Sequence, residues 1–194
     1  MSSAGRTKGV RKKLDFYQTP SWLTESILPY LKPHLPECTY MLEPGYGDGA
    51  IARVVEQSWP NCDVTGIDLE KRTDNNKVII ADYLTYNFGD TRYNLILGNP
   101  PYNLAQEFVN RSLQIADVVC LLMRVNFLGS QKRAEWWRDK LPSIYVTPRR
   151  PPFSTNKNGK IGTDSTEYAW YVWGLPDQGT VHILETEDKK HRSK

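Results

Sequence analysis

The tetrapeptide Asn99-Pro100-Pro101-Tyr102 constrains this chain more than any other stretch, because it halts the apolar run Tyr93-Asn94-Leu95-Ile96-Leu97-Gly98, which otherwise reads as a buried strand. Each proline locks its φ and removes a backbone donor, so the strand ends in a stiff turn. Such a turn can aim two fixed acceptors, the Asn99 side-chain oxygen and the Pro100 carbonyl, at a group bound beyond the strand tip. Acceptors held that way suit an amino group conjugated to an aromatic ring or an amide. Gripping both of its N–H bonds favours the pyramidal geometry in which the nitrogen lone pair can attack. Tyr102 adds a ring face for a flat group. An ordinary Pro-Pro turn after a core strand is the plain alternative.

Upstream, Cys38 to Leu42 reads as a strand, Glu43-Pro44-Gly45-Tyr46-Gly47-Asp48-Gly49 as a glycine turn, and Ala50 to Ser58 as a helix. Gly45 and Gly47 permit a tight turn and let a ligand approach the backbone at the helix start. The spacing G-x-G-x-G departs from the dinucleotide fingerprint, which favours a methionine-nucleoside ligand over a pyrophosphate. A plain loop is the alternative. Asp63 to Ile67 forms the next strand, and Asp68 at its tip, or alternatively Glu70, offers a carboxylate to a ribose diol. Lys77 to Ala81 forms a third strand, ending in Asp82-Tyr83. Near the start, Phe16-Tyr17-Gln18-Thr19-Pro20 precedes a predicted helix from Ser21 to Leu31, which Thr19 can cap with Pro20 in its first turn.

In this order the elements resemble the adenine-specific DNA methyltransferases that use S-adenosylmethionine, in which Asn-Pro-Pro-Tyr is the catalytic motif. The matched stretch runs from Phe16 to Tyr102. The resemblance implies a Rossmann-like class I methyltransferase fold: a doubly wound α/β sheet of seven strands, one antiparallel, with helices on both faces. It implies S-adenosylmethionine as cofactor. Tyr17, Thr19 and Pro20 would cap its methionine end, Glu43, Gly45 and Gly47 would form the turn beside it, Asp68 would hold the ribose, and Asp82 and Tyr83 would meet the adenine. Asn99, Pro100, Pro101 and Tyr102 would then direct methyl transfer to the exocyclic amino group of adenine in DNA. Adenine in RNA and a glutamine side chain in a protein are attacked by related enzymes with the same motif. A non-catalytic nucleic-acid-binding module of this fold is an alternative from another class. Small enzymes of this kind are familiar in phage and prophage settings.

After Tyr102, Asp117 to Val125, Ser143 to Thr147 and Thr166 to Trp173 read as further strands. In the last, Tyr168, Trp170 and Val172 face one way and Ala169, Tyr171 and Trp173 the other, so both faces are apolar, as a strand between two helix layers requires. The segment Arg149-Arg150-Pro151-Pro152-Phe153 opens a long polar loop reaching Asp164, read as a substrate loop. Arg149, Arg150 and Phe153 are candidate contacts to a base extruded from a duplex. Phe153 packed into the core edge is an equal alternative.

At 194 residues the chain is long enough for one domain with a substantial core, spanning 14–184. Arg6, Lys8, Arg11, Lys12 and Lys13 make residues 1–13 a basic arm, suited to counterion release from a phosphate backbone or to plain solubility. Residues 185–194 read as a charged tail. There is no 18-residue apolar run, which excludes a membrane-spanning helix. Cys38, Cys62 and Cys120 lack metal-ligand spacing and disulfide parity, no Pro-Cys motif is present, and His34, His182 and His191 lie outside the motifs, so no metal, no cysteine nucleophile and no histidine base is expected, and a reducing cytoplasm is the expected home. Nothing here has the length of a separate recognition domain. Specificity is therefore expected to be low or to come from a companion protein.

Overall fold

Two-sided apolar strands need a helix layer above and below, and the computed structural model, which describes residues 18–155, 161–162 and 166–185, has that arrangement. In chain order come α1 (Ser21–Leu31), β1 (Tyr40–Pro44), α2 (Ala50–Ser58), β2 (Asp63–Asp68), β3 (Val78–Ile80), β4 (Tyr93–Gly98), α3 (Ala105–Ile115) and β5 (Ala116–Arg124). They are followed by α4 (Ala134–Asp139), β6 (Ser143–Val146), β7 (Ser154–Thr155), β8 (Ile161–Gly162), β9 (Tyr168–Trp173) and β10 (Val181–Ile183). The arm over 1–13, Tyr17 and residues 186–194 of the tail lie outside the described residues.

The main sheet has the order β10-β6-β9-β5-β4-β1-β2-β3. Strand β9 runs antiparallel to both of its neighbours, β5 and β6, and every other pair is parallel. The sheet thus has eight strands where seven are expected from the sequence. The extra member is β10, an edge strand of three residues whose Val181 and Ile183 are 66% and 64% exposed. Its Val181-His182-Ile183 alternates, but three residues are too few for alternation to mark a strand, and the apolar pair faces outward. A second difference lies in the long polar loop after Arg149, where β7 and β8 pair antiparallel, Ser154 opposite Gly162.

Side chains from alternate positions build one core on each face. Leu95, Leu97, Cys120, Leu122, Trp170 and Val172 pack with Leu23 and Ile27 of α1 and Ile51 and Val55 of α2. Ile96, Val119, Leu121, Ala169, Tyr171 and Trp173 pack with Phe108 and Val109 of α3. The outward order of the strands reverses between β1 and β4, so the loops after them part at that point and leave a crevice at the strand tips. Backbones approach closely there: a Cβ built on Gly98 would lie 3.1 Å from both the Cδ and the carbonyl oxygen of Pro44.

Candidate active site

The first wall of the crevice is the turn after β1. Gly45, Gly47 and Gly49 have φ of 73°, 57° and 76°, in the left-handed region that a side chain makes costly, so the glycine spacing is a backbone requirement. The turn is fastened to β2. The N–H groups of Gly45 and Tyr46 donate to the Ile67 carbonyl at 2.8 and 3.2 Å, and the N–H of Gly47 donates to Asp68 Oδ2 at 2.8 Å. The other oxygen of Asp68 accepts from the Glu70 N–H at 3.0 Å. Glu70 therefore contributes its backbone to the site, while its carboxylate pairs with Arg72 at 2.6 Å.

Tyr46, which carries no motif role in the sequence, explains one more glycine, Gly66, and adds a second reason for Gly49. A Cβ on Gly66 would stand 2.2 Å from the Tyr46 ring, and one on Gly49 would stand 2.5 Å from its hydroxyl oxygen. The ring occupies the space those side chains would fill, and its hydroxyl accepts from Asn75 Nδ2 at 3.1 Å.

Glu43 departs from expectation. It is only 2% exposed, and its Oε2 accepts the Ala52 N–H at 2.9 Å. Because the N-cap of α2 is Gly49, which has no side chain, Glu43 satisfies one of the helix's unpaired first-turn donors from within β1. Burial pushes its carboxyl well above the usual carboxylate range, against a smaller downward pull from the Ala52 hydrogen bond. It supports the turn from behind instead of facing a ligand.

The opposite wall is the turn after β4. Asn99 Nδ2 donates to Thr19 Oγ1 at 3.2 Å, and the Tyr102 hydroxyl donates to Asn99 Oδ1 at 2.9 Å. Thr19 is thus not the cap of α1: Pro20 occupies the N-cap without a side-chain bond, and the Thr19 hydroxyl is spent on the amide. Next to it, Gln18 Nε2 donates to Asp48 Oδ2 at 2.8 Å, so this short segment bridges the glycine turn and the Asn99 turn. The two turns also meet directly, since a Cβ on Gly45 would lie 3.8 Å from the Asn99 carbonyl oxygen. No described residue donates to the Pro100 carbonyl. Burial pushes the Tyr102 hydroxyl well above the usual phenol range, which keeps it a hydrogen-bond donor. Its ring is bordered by the Arg124 guanidinium, 4.9 Å from the ring centre, and by the Tyr168 ring at 5.6 Å.

Four expected contacts sit elsewhere. Tyr83 is 3% exposed, with its ring 4.8 Å from Phe108 and its hydroxyl 2.7 Å from Ser112 Oγ, so it belongs to the core on the α3 side and offers no face to an adenine. Phe153 is 4% exposed and edge-on to Tyr168 at 5.2 Å; it backs the ring behind Tyr102 and is not a second wall for a base. Arg150 pairs with Glu167, and the Arg149 guanidinium lies 5.4 Å from the Trp22 ring. Asp82 stays exposed beyond β3, its Oδ1 accepting the Leu84 N–H at 2.9 Å.

Two apolar residues missing from the sequence reading stand at the strand tips. Leu69 and Ile80 are 53% and 50% exposed, and Ile80 is the register partner of Asp68. For Leu69 the available signal was an apolar residue directly after Asp68, the acid that ends β2; Ile80, inside an apolar run, has no such mark.

On the far side of Tyr102, between the loops after β4 and β5, lies a cleft of about 270 Å³. Tyr102 and Asn103 form one wall, and Arg124, Asn126, Phe127 and Arg133 the other.

Comparison with known proteins agrees with this architecture. No family model matches the chain. Among solved structures, an assigned RNA methyltransferase from Pyrococcus horikoshii superposes with a TM-score of 0.62 at 17% identity, covering 85% of this chain and 91% of that one. The plantazolicin methyltransferase BpumL, solved with S-adenosylhomocysteine, gives a TM-score of 0.54 at 13% identity over 78% of this chain and 82% of its own. In sequence, the type II methyltransferase M.CvrRI of Paramecium bursaria Chlorella virus XZ-6E is 30% identical over 73 residues, a match spanning 34% of this chain and 19% of that protein. The chain has the class I methyltransferase fold. No helix among the described residues is long and apolar enough to cross a membrane.

Proposed function

We propose that this chain is an S-adenosylmethionine-dependent methyltransferase that modifies the exocyclic amino group of adenine in DNA. The observation that carries the reading is the Asn99 amide, held between Thr19 and Tyr102 at the strand crevice and beside Gly45. Bound there, S-adenosylmethionine would supply an electrophilic methyl group on its sulfonium. The residues fit such a ligand: the Gly45 to Gly49 turn opens onto the start of α2, Asp68 can accept from a ribose diol, and Leu69 and Ile80 can border an adenine, with Asp82 at its edge.

The chain's own contribution is placement and electrostatics. Thr19 accepts from Nδ2 and so turns Oδ1 toward the substrate side. Tyr102 takes one lone pair of Oδ1, and the other, together with the Pro100 carbonyl, accepts the two N–H bonds of the target amine. Those two bonds withdraw the nitrogen lone pair from its ring. After transfer the nitrogen is strongly acidic and sheds its proton to water without a histidine base.

DNA is favoured over RNA and protein by the Thr19-Pro20 element and the cationic residues 6–13, not by the Asn-Pro-Pro-Tyr turn that all three classes share. The test is to mix the protein with methyl-labelled cofactor and separate pools of duplex DNA, RNA and protein. Label in the DNA adenine amino group is expected. Label confined to RNA or to glutamine moves the substrate, and cofactor binding without any transfer makes the chain a binding module.

A further inference from the structure

Arg133 differs from the other well-fixed arginines of the described chain. Arg53, Arg72, Arg92 and Arg150 each face a carboxylate, and Arg111 spends its Nη groups on Gln114 Oε1 and the Tyr86 carbonyl. Arg133 faces no carboxylate among the described residues. Its Nε donates to the Phe127 carbonyl at 3.0 Å, and its guanidinium carbon stands 4.5 Å from the centre of the Phe127 ring. The side chain is thereby pinned at two points, while its Nη groups meet no acceptor among the described residues. It is pinned at the edge of the cleft behind Tyr102, whose lining holds a second guanidinium, Arg124, two amides, Asn103 and Asn126, and no acid.

A preset guanidinium with its forked donors unspent is suited to an anion with paired oxygens. The cleft shares its Tyr102 wall with the place proposed for the target amine, so whatever fills it adjoins the residue being methylated. In a nucleic-acid strand the adjoining anion is a backbone phosphate. We infer that the cleft between the β4 and β5 loops binds a phosphodiester next to the target nucleotide, with Arg133 as the charged contact and Asn103 and Asn126 as neutral donors. The inference rests on the nucleic-acid reading above. It adds a binding site that neither the catalytic turn nor the basic arm supplies.

The test compares the native protein with Arg133→Gln, Arg133→Lys and Asn126→Asp. Affinity for random-sequence duplex DNA and for an unstructured RNA is measured over a range of salt, with S-adenosylhomocysteine present. One lost phosphate contact lowers the log K against log salt slope by about 0.9 on duplex or about 0.7 on a single strand. We expect Arg133→Gln to show that loss and Arg133→Lys to keep the native slope. Asn126 is exposed, so Asn126→Asp leaves the fold intact and should weaken binding by repulsion. Unchanged cofactor affinity in each variant certifies the fold. The polymer on which the slope changes identifies the backbone as DNA or RNA. An unaltered slope in Arg133→Gln and an unaltered affinity in Asn126→Asp, on both polymers, overturn the inference while leaving the methyltransferase reading in place. A slope change on a polymer that receives no labelled methyl supports the cleft and removes the adenine reading. A native protein that binds neither polymer removes both.

Discussion

The two walls of the crevice are built by different means. The wall after β1 is a backbone device: three left-handed glycines shape it, and N–H groups from Gly45, Tyr46 and Gly47 pin it to β2. The wall after β4 is a side-chain device. Its amide is oriented by Thr19 from before α1 and by Tyr102, and Tyr102 is in turn bordered by Arg124 from β5 and Tyr168 from β9. A backbone device tolerates side-chain changes that leave its turns alone, whereas a side-chain device fails one residue at a time. Substitutions on the two walls should therefore separate binding from turnover.

The largest separation is expected at Asn99. Asn99→Ala removes the fixed acceptor and should lower turnover by about 10² to 10³-fold, the range seen when one electrostatic stabiliser is deleted, while calorimetry shows cofactor affinity retained. Equal loss of affinity and turnover would erase the distinction between the walls. Asp68→Ala is the mirror experiment. Loss of a charge-assisted pair of hydrogen bonds should weaken cofactor binding by roughly 10 to 100-fold. Turnover at saturating cofactor should change much less. Unaltered affinity would take Asp68 out of the site and leave it only the task of holding Gly47.

The same contrast decides what could be read from the sequence. The glycine turn, Asp68 and the Asn99 turn obey local rules of φ, strand ends and proline, so a short stretch of chain displays them. The faces of β9 were legible too, because alternation is a property of consecutive residues: Trp170 and Tyr171 do lie in opposite cores. Tyr83 and Phe153 show the limit. An aromatic beside a functional turn looks alike whether it points outward or inward, and only the positions of Phe108, Ser112 and Tyr168 decide it. Arg133 was hidden for the same reason, since its distinction, Nη groups without an acceptor among the described residues at the cleft, exists only in space. α3 is an intermediate case. The motifs do not announce it, yet Ala105, Phe108, Val109, Ser112 and Ile115 repeat with helical period.

Thr19 joins the two walls and gives a smaller, sharper test. Thr19→Val keeps the shape and deletes the acceptor for Asn99 Nδ2, a loss of about 1 kcal/mol or roughly fivefold in turnover. Thr19→Ser should restore it. A rise in the Michaelis constant for cofactor with turnover unchanged would instead place Thr19 on the cofactor wall alone.

The smallest effect is expected behind the backbone wall, at Glu43, and it is a pH dependence. The unfolded chain releases the Glu43 proton near the ordinary carboxylate value of about 4.3, whereas the buried group holds it to a higher pH. Between those two values the folded form carries a proton that the unfolded form has lost. The neutral group's contribution to stability is therefore complete at acid pH and declines as pH rises through the window. Glu43→Gln keeps an oxygen for the Ala52 N–H and never ionises. Its melting temperature should match the native protein's below about pH 4 and exceed it increasingly toward pH 8, by about 2 to 4 °C for each kcal/mol of relief. A gap constant over that range would mean that the start of α2 stabilises an ionised Glu43 as well as a neutral one. The glycine wall would then rest on a charge as well as on backbone geometry, and its difference from the Asn99 wall would narrow accordingly.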